Sequence, residues 1–228
     1  MVDQHNGRRS RRGANAPTLT TEMIVEAAIR VADDEGLNAV TMRRVATEVN
    51  AGAMTLYSYF ASKDLLLDAI CDSILGEFCL PKVDADAPID QVLPAVAHAF
   101  LQLIREHPAA GRLLLERVTD SPHALEGGME QVLARFIAAG LDGPTAVHAY
   151  GVMIIYTLGF AQYQSPRTWN QDADEDVRAE RVAFYRTLPH DKFETISSNP
   201  EAIVALSADH QFSIGITLFA SALAAGTY

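Results

Sequence analysis

Cysteine is nearly absent from this chain of 228 residues. The two present, Cys71 and Cys79, stand eight apart in one predicted helical stretch. They form no disulfide framework and no metal-ligand spacing. Thiols so placed suit a reducing compartment, and a cytoplasmic location is expected. Any unbroken run of about eighteen apolar residues is also missing, so no transmembrane helix and no membrane partner are expected. The N-terminal stretch is charged but has no apolar h-region, unlike a secretory signal. G-x-S-x-G, Walker, G-x-G-x-x-G and H-E-x-x-H patterns are all lacking, which argues against an enzyme and leaves no catalytic residue to name. His98, His107 and His148 are scattered without metal-ligand spacing, and the acidic "DADEDVRAE" reads as a solvated loop. No metal and no cofactor are expected.

Positive charge is the other scarcity. Lys and Arg number 18 against 29 Asp and Glu, for a net charge of −11. A chain coated for nucleic acid would carry the opposite sign. The charge is unevenly spread, however. Residues 1–63 hold eight Lys/Arg against seven Asp/Glu, and the remainder holds ten against twenty-two. Any contact with nucleic acid therefore belongs to the first quarter. That quarter begins with "RRSRRG", Arg8 to Gly13, in a leader over 1–18 read as a flexible basic arm. The arm is either a solvated tail or a salt-sensitive DNA contact.

Nearly half the residues are apolar, enough for a sizeable core. Their spacing is helical throughout, with no alternating run long enough for a sheet. "TTEMIVEAAIRVADDEG" predicts a helix capped at Thr20 or Thr21 and stopped by Gly36. "LNAVTMRRVATEVN" predicts a short helix capped by Thr41. A tight "NAG" connection follows, where Gly52 is expected to take backbone angles other residues dislike. A second short helix is predicted near Met54–Phe60, with Leu56 and Phe60 turned to the core. Ser62 then caps a leucine-rich helix. "CLPKVDADAPID" suits a domain boundary. Beyond it, helices are predicted near 89–106, 109–119, 122–139, 143–165, 176–188 and 207–225, with a break at "ISSNPEAI". The fold class is all-α.

Two short helices joined at a glycine fit a helix-turn-helix, whose second helix enters the DNA major groove. They also fit an ordinary helical hairpin with two surface tyrosines. The groove reading makes specific demands. Facing side chains must be small, and Ala53, Met54, Thr55 and Ser58 satisfy this. Hydroxyls can bond base edges or phosphate, and methyl groups can touch a thymine methyl. Tyr57, Tyr59 and Lys63 can reach phosphates, and Arg43 can reach a guanine.

The segment "TTEMIVEAAIRVADDEGLNAVTMRRVATEVNAGAMTLYSYFASKDLLLDAI" resembles the DNA-binding domain of the TetR family of bacterial transcriptional regulators. "REHPAAGRLLLERV", "GGMEQVLARFIAAGL" and "IIYTLGFAQYQ" resemble, in order, the tetracycline-repressor-type C-terminal domain. The resemblance implies a helix-turn-helix domain over 19–66 and a ligand-binding and dimerisation domain over 67–228. It implies a homodimer on a palindromic operator in double-stranded DNA, and a repressor that a small-molecule effector releases. Carried over by position, Arg43 matches a base-reading arginine. Ala53, Met54 and Thr55 match base-contacting positions, and Tyr57, Tyr59 and Lys63 match backbone-contacting ones. Ser58 stands where the family often has a larger ring. Tetracycline repressors hold a drug–magnesium complex through histidines. Leu113, Leu114 and Leu115 stand in the first histidine's region here, and Ile155 and Tyr156 stand where the second is expected. A small apolar or amphipathic effector without a metal is therefore the expectation. The alternative is a DNA-binding dimer controlled by a protein partner or by no effector.

For the pocket, Phe100, Leu114, Tyr150, Met153 and Trp169 are candidate lining residues, though each also fits core packing. For the dimer, the helices over 143–165 and 207–225 are apolar around much of their circumference. Val147, Gly151, Ile154, Leu158 and Ala161 recur at three- and four-residue steps, and small Gly151, Gly159, Gly215 and Ala220 permit close approach. Such helices fit a four-helix bundle across a two-fold axis. They equally fit the core of a monomer.

Overall fold

The computed structural model describes residues 19–117, 121–167 and 175–227. Among these, every regular element is helical. The N-terminal head comprises α1 (Thr21–Glu35), α2 (Met42–Glu48), α3 (Ala53–Tyr59) and the start of α4 (Lys63–Gly76). Thr20, Thr41 and Ser62 cap α1, α2 and α4, each accepting a backbone N–H from three residues on. Ile24, Ala28 and Val31 of α1, Val45 of α2, Leu56 of α3 and Leu66 and Ile70 of α4 are almost fully buried together with Phe60. This compact core holds α2 and α3 in one orientation.

The connection between α2 and α3 differs from expectation. Gly52 is the N-cap of α3, at φ −81° and ψ 147°, angles open to any residue. Asn50 takes the left-handed conformation instead, at φ 52°. Ala51 N–H reaches back to the Ala46 carbonyl at 2.8 Å, and Asn50 N–H to that of Thr47 at 3.1 Å. The paired bonds form a Schellman stop for α2 with Asn50 in the position usually taken by glycine. Asparagine tolerates that conformation better than most side chains.

The C-terminal body is built on α5 (Ile89–Glu106). Around it stand α6 (Pro108–Glu116), α8 (Gln131–Ala138), α9 (Gly143–Gln164) and α13 (Asp209–Ala224), while the short α7 (Pro122–Ala124) packs on α4. A π-helical stretch, Leu125–Glu130, joins α7 to α8. Between α9 and α13 the described residues include α10 (Glu175–Arg186), α11 (His190–Ser198), α12 (Pro200–Val204) and a short 3-10 turn, Ala205–Ser207. The break predicted at "ISSNPEAI" falls at Asn199, and α11 before it was not expected. α4 runs unbroken across position 66, so head and body share one helix. The stretch expected to separate domains is packed down. Phe78 and Ala87 are buried, with the Phe78 ring edge-on to Phe100 at 6.1 Å, and Arg135 donates to the Asp84 carbonyl at 2.6 Å.

α9 is long and apolar enough to cross a bilayer, a property that its interspersed Thr, Gly, His and Gln hide from a count of unbroken apolar runs. Ala149, Met153, Thr157 and Phe160 on one side of it are buried in the body, as in a core helix.

Candidate nucleic-acid interface

α3 presents its chemistry outward because Leu56 is fully buried on its inner side. Met54, Thr55, Tyr57, Ser58 and Tyr59 are exposed, Ala53 is half-buried, and Lys63 is exposed at the start of α4. Seven residues span about 10 Å at the helical rise, a short tip that suits a groove. Met54 is the most open of its large side chains, at 81 % exposure.

The two neighbouring arginines of α2 have different surroundings. Arg44 is tied down, pairing with Glu35 at 2.6 Å and Glu48 at 2.8 Å. Its guanidinium pKa is raised, first by the hydrogen bond to Glu35 and then by that to Glu48. Arg43 is exposed, and its side chain makes no ion pair among the described residues. The cation free to meet a ligand is the one the resemblance singled out.

Two hydroxyls are partly committed. Ser58 donates to the Thr55 carbonyl at 2.6 Å, and Tyr59 donates to the Leu19 carbonyl at 2.7 Å. Both oxygens keep acceptor capacity, but their protons are engaged within the chain. Tyr59 thus also anchors the segment that leads from the basic arm into α1. That arm lies outside the described residues.

The candidate effector residues lie in the body. Phe100 and Met153 are buried, and Leu114 and Tyr150 are half-buried against the same core. Burial pushes the Tyr150 phenol pKa up. Trp169 lies outside the described residues. An open groove of about 410 Å³ lies elsewhere, between Ile155, Tyr156, Gly159 and Tyr163 of α9 and Leu206 and Gln211 further along the chain. None of the four described candidates lines it.

The outer faces of α9 and α13 were only partly anticipated. Leu158, on the expected interface stripe, is buried within the protomer, as is Ala220. A Cβ on Gly215 would sit 2.2 Å from the Tyr156 hydroxyl oxygen, so that glycine serves packing inside the chain. The exposed apolar row on α9 is Val152, Ile155, Gly159 and Tyr163, and on α13 it is Ile214 and Leu218. Ile155 and Leu218 are 73 % and 67 % exposed, too much for finished core. Gly151 and Gly159 have open space above them. Helices apolar on nearly every side gave periodicity no means of choosing the outward face.

Comparison with known proteins agrees with this geometry. The model described as "Bacterial regulatory proteins, tetR family" matches residues 24–70, and that of the "Tetracyclin repressor-like, C-terminal domain" matches 81–225. The HTH-type transcriptional repressor DrrR1 of Streptomyces coeruleorubidus is 35 % identical over 216 residues, covering 92 % of this chain and 78 % of that protein. ActR of Streptomyces coelicolor, solved in complex with actinorhodin, superposes with a TM-score of 0.78 at 25 % identity, over 93 % of this chain and 99 % of ActR. The tetracycline repressor class A protein of Escherichia coli is 25 % identical over 145 residues, covering 62 % of this chain and 65 % of its own length. The head places a short, hydroxyl-bearing helix beside an unpaired arginine, and both halves match the same regulators; the chain belongs to the TetR family of DNA-binding transcriptional regulators.

Proposed function

We propose that the protein is a homodimeric repressor that grips a palindromic operator with paired α3 helices and lets go when its body binds a small apolar or amphipathic ligand. The observation that carries the DNA half is the pairing of a free Arg43 with the exposed Thr55, Tyr57 and Lys63 around a rigid Leu56 anchor. Arg43, Ala53, Met54 and Thr55 read bases in this scheme. Tyr57 and Lys63 hold phosphates, and Ser58 and Tyr59 join them by turning their hydroxyl protons from the Thr55 and Leu19 carbonyls to phosphate oxygens. The dimer half rests on the exposed apolar rows of α9 and α13. Joined across a two-fold axis, they form a four-helix interface and set two recognition helices about 34–36 Å apart, one turn of duplex.

Release follows by population shift. The ligand favours a body conformation whose heads are wrongly spaced, and it acts only through its differential affinity for the two states. The repressor named DrrR1 and the actinorhodin complex of ActR support both parts of this reading. Phe100, Leu114, Tyr150, Met153 and Trp169 are the residues assigned to the effector.

Selection of random duplexes by the full-length chain tests the DNA half. An inverted repeat is expected to emerge, bound by two chains. Enrichment no better than for random duplex, or binding by a single chain, defeats the proposal. Titrating the bound complex with actinorhodin as a probe tests the effector half, release being the expected result.

A second reading, control by a protein partner or by no effector, has one observation in its favour. Phe100 and Met153 are packed as core, and the groove of about 410 Å³ opens on the surface. Operator binding that is indifferent to actinorhodin and to a panel of comparable polycyclic compounds would favour it.

A further inference from the structure

Where α5 turns into α6, His107 lies between two carboxylates from different parts of the molecule. Its Nδ1 is 2.8 Å from Asp33 Oδ2, in the last turn of α1. Its Nε2 is 3.2 Å from Glu77 Oε2, the residue that follows α4. The His107 and Asp33 side chains are 19 % and 21 % exposed, and Asp33 Oδ1 is buried without a partner. Neutral imidazole carries one N–H and one lone pair, whereas imidazolium donates from both nitrogens. Carboxylate oxygens at hydrogen-bond distance from both nitrogens therefore select the charged ring. Burial by itself works against the proton. The hydrogen bonds and charges of Asp33 and then Glu77 outweigh it, and the pKa stands above the usual histidine value. From α1 the acting group is Asp33, and from the end of α4 it is Glu77; Arg105 and Glu106, of opposite sign, precede the ring at the end of α5.

The site joins the parts that regulation has to couple. Asp33 belongs to the head, and α6 belongs to the body. α6 also meets α9 closely, since a Cβ on Gly111 would lie 2.9 Å from Gln162 Nε2. At its far end, Arg117 pairs with Asp64 at 2.6 Å and with Asp68 at 2.5 Å, both on α4. α6 is thus strapped to α4 at both ends. The arginine strap is permanent, because arginine does not lose its charge. The histidine strap reaches α1 as well, and it titrates.

We propose that His107 is a proton-dependent bolt between the DNA-binding head and the C-terminal body, holding α1 and the end of α4 to the start of α6 while charged and loosening that hold when neutral. Deprotonation turns one N–H···carboxylate bond into a lone pair facing an anion, so the single N–H that the neutral ring keeps serves Asp33 or Glu77 but not both, and it is no longer charge-assisted. The sign follows from the raised folded-state pKa. The bolt is fully made below the ordinary histidine pKa of about 6.5 and is lost as pH rises through the higher folded value. Any effect on operator affinity rests on the repressor reading, but the bolt itself does not.

The full-length protein tests it without DNA. Histidine titration by NMR and amide exchange at Ala32–Gly36, corrected for intrinsic rates, are followed from about pH 6 to pH 9. Protection at the end of α1 is expected to fall by about threefold or more, with its midpoint at the His107 pKa. His107→Gln, which cannot charge, is expected to be flat and weakly protected. His107→Arg, charged throughout, is expected to be flat and strongly protected. A wild-type profile without a step, or a step that survives in His107→Gln, overturns the proposal. The wild-type measurement decides the matter even where a variant does not fold.

Discussion

On α3 the exposed residues are Met54, Thr55, Tyr57, Ser58 and Tyr59; on α9 they include Val152, Ile155, Gly159 and Tyr163. Both are surface rows of a helix whose other side is core. The first is rich in hydroxyl groups and flanked by Arg43 and Lys63. The second belongs to a helix with no Asp, Glu, Lys or Arg at all. A hydrated polyanion is met by the first kind of surface, which can exchange its water bonds for phosphate and base-edge bonds. The other kind gains only by leaving water, as it would in the proposed dimer. The contrast explains why an acidic chain can bind DNA. Its net charge is carried by the body, away from the tip, and short-range contacts at the head act within a screened solvent.

The largest break to this contrast is a charge on the apolar rows. Ile155→Asp combined with Leu218→Asp is expected to yield monomers in sedimentation and to abolish inverted-repeat binding. Uncompensated buried charge costs about 3–5 kcal/mol. A dimer that persists would show that these rows face something else. Leu56→Ala attacks the other surface from beneath. Removing a fully buried leucine is expected to cost about 2–5 kcal/mol of head stability by thermal melting and to weaken DNA binding without changing the dimer.

Smaller changes sharpen the comparison. Arg43→Ala is expected to cost about 1–3 kcal/mol of operator affinity and to relax preference at one base pair; unaltered gel-shift selectivity would remove Arg43 from base reading. Arg44→Ala is expected to leave selectivity intact, since its charge is spent on Glu35 and Glu48. Asn50→Ala is expected to cost about 1 kcal/mol by placing a plain Cβ in the left-handed region, while Asn50→Gly is near neutral. Deleting residues 1–13 should lower the salt slope of binding by at most about 0.9 for each phosphate the arm neutralises; an identical slope means an idle arm.

The head was legible because each local signal agreed with the next. Caps at Thr20, Thr41 and Ser62 stand where the sequence places them, and Leu56 and Phe60 are buried as their spacing requires. The turn differs by two positions, since the left-handed role expected of Gly52 is filled by Asn50. The body was less legible for a physical reason. Periodicity locates a helix when one face is polar, and α9 has almost no polar face to serve as a reference.

By itself, the chain's pattern determined the all-α class and the placement of most helices, because these depend on neighbours within a few residues. Tertiary structure decided which sides of α9 and α13 stay open, that Gly215 serves Tyr156, and that His107 meets Asp33 and Glu77. Those outcomes join residues tens of positions apart, and no local propensity records the distance between side chains brought together only by packing.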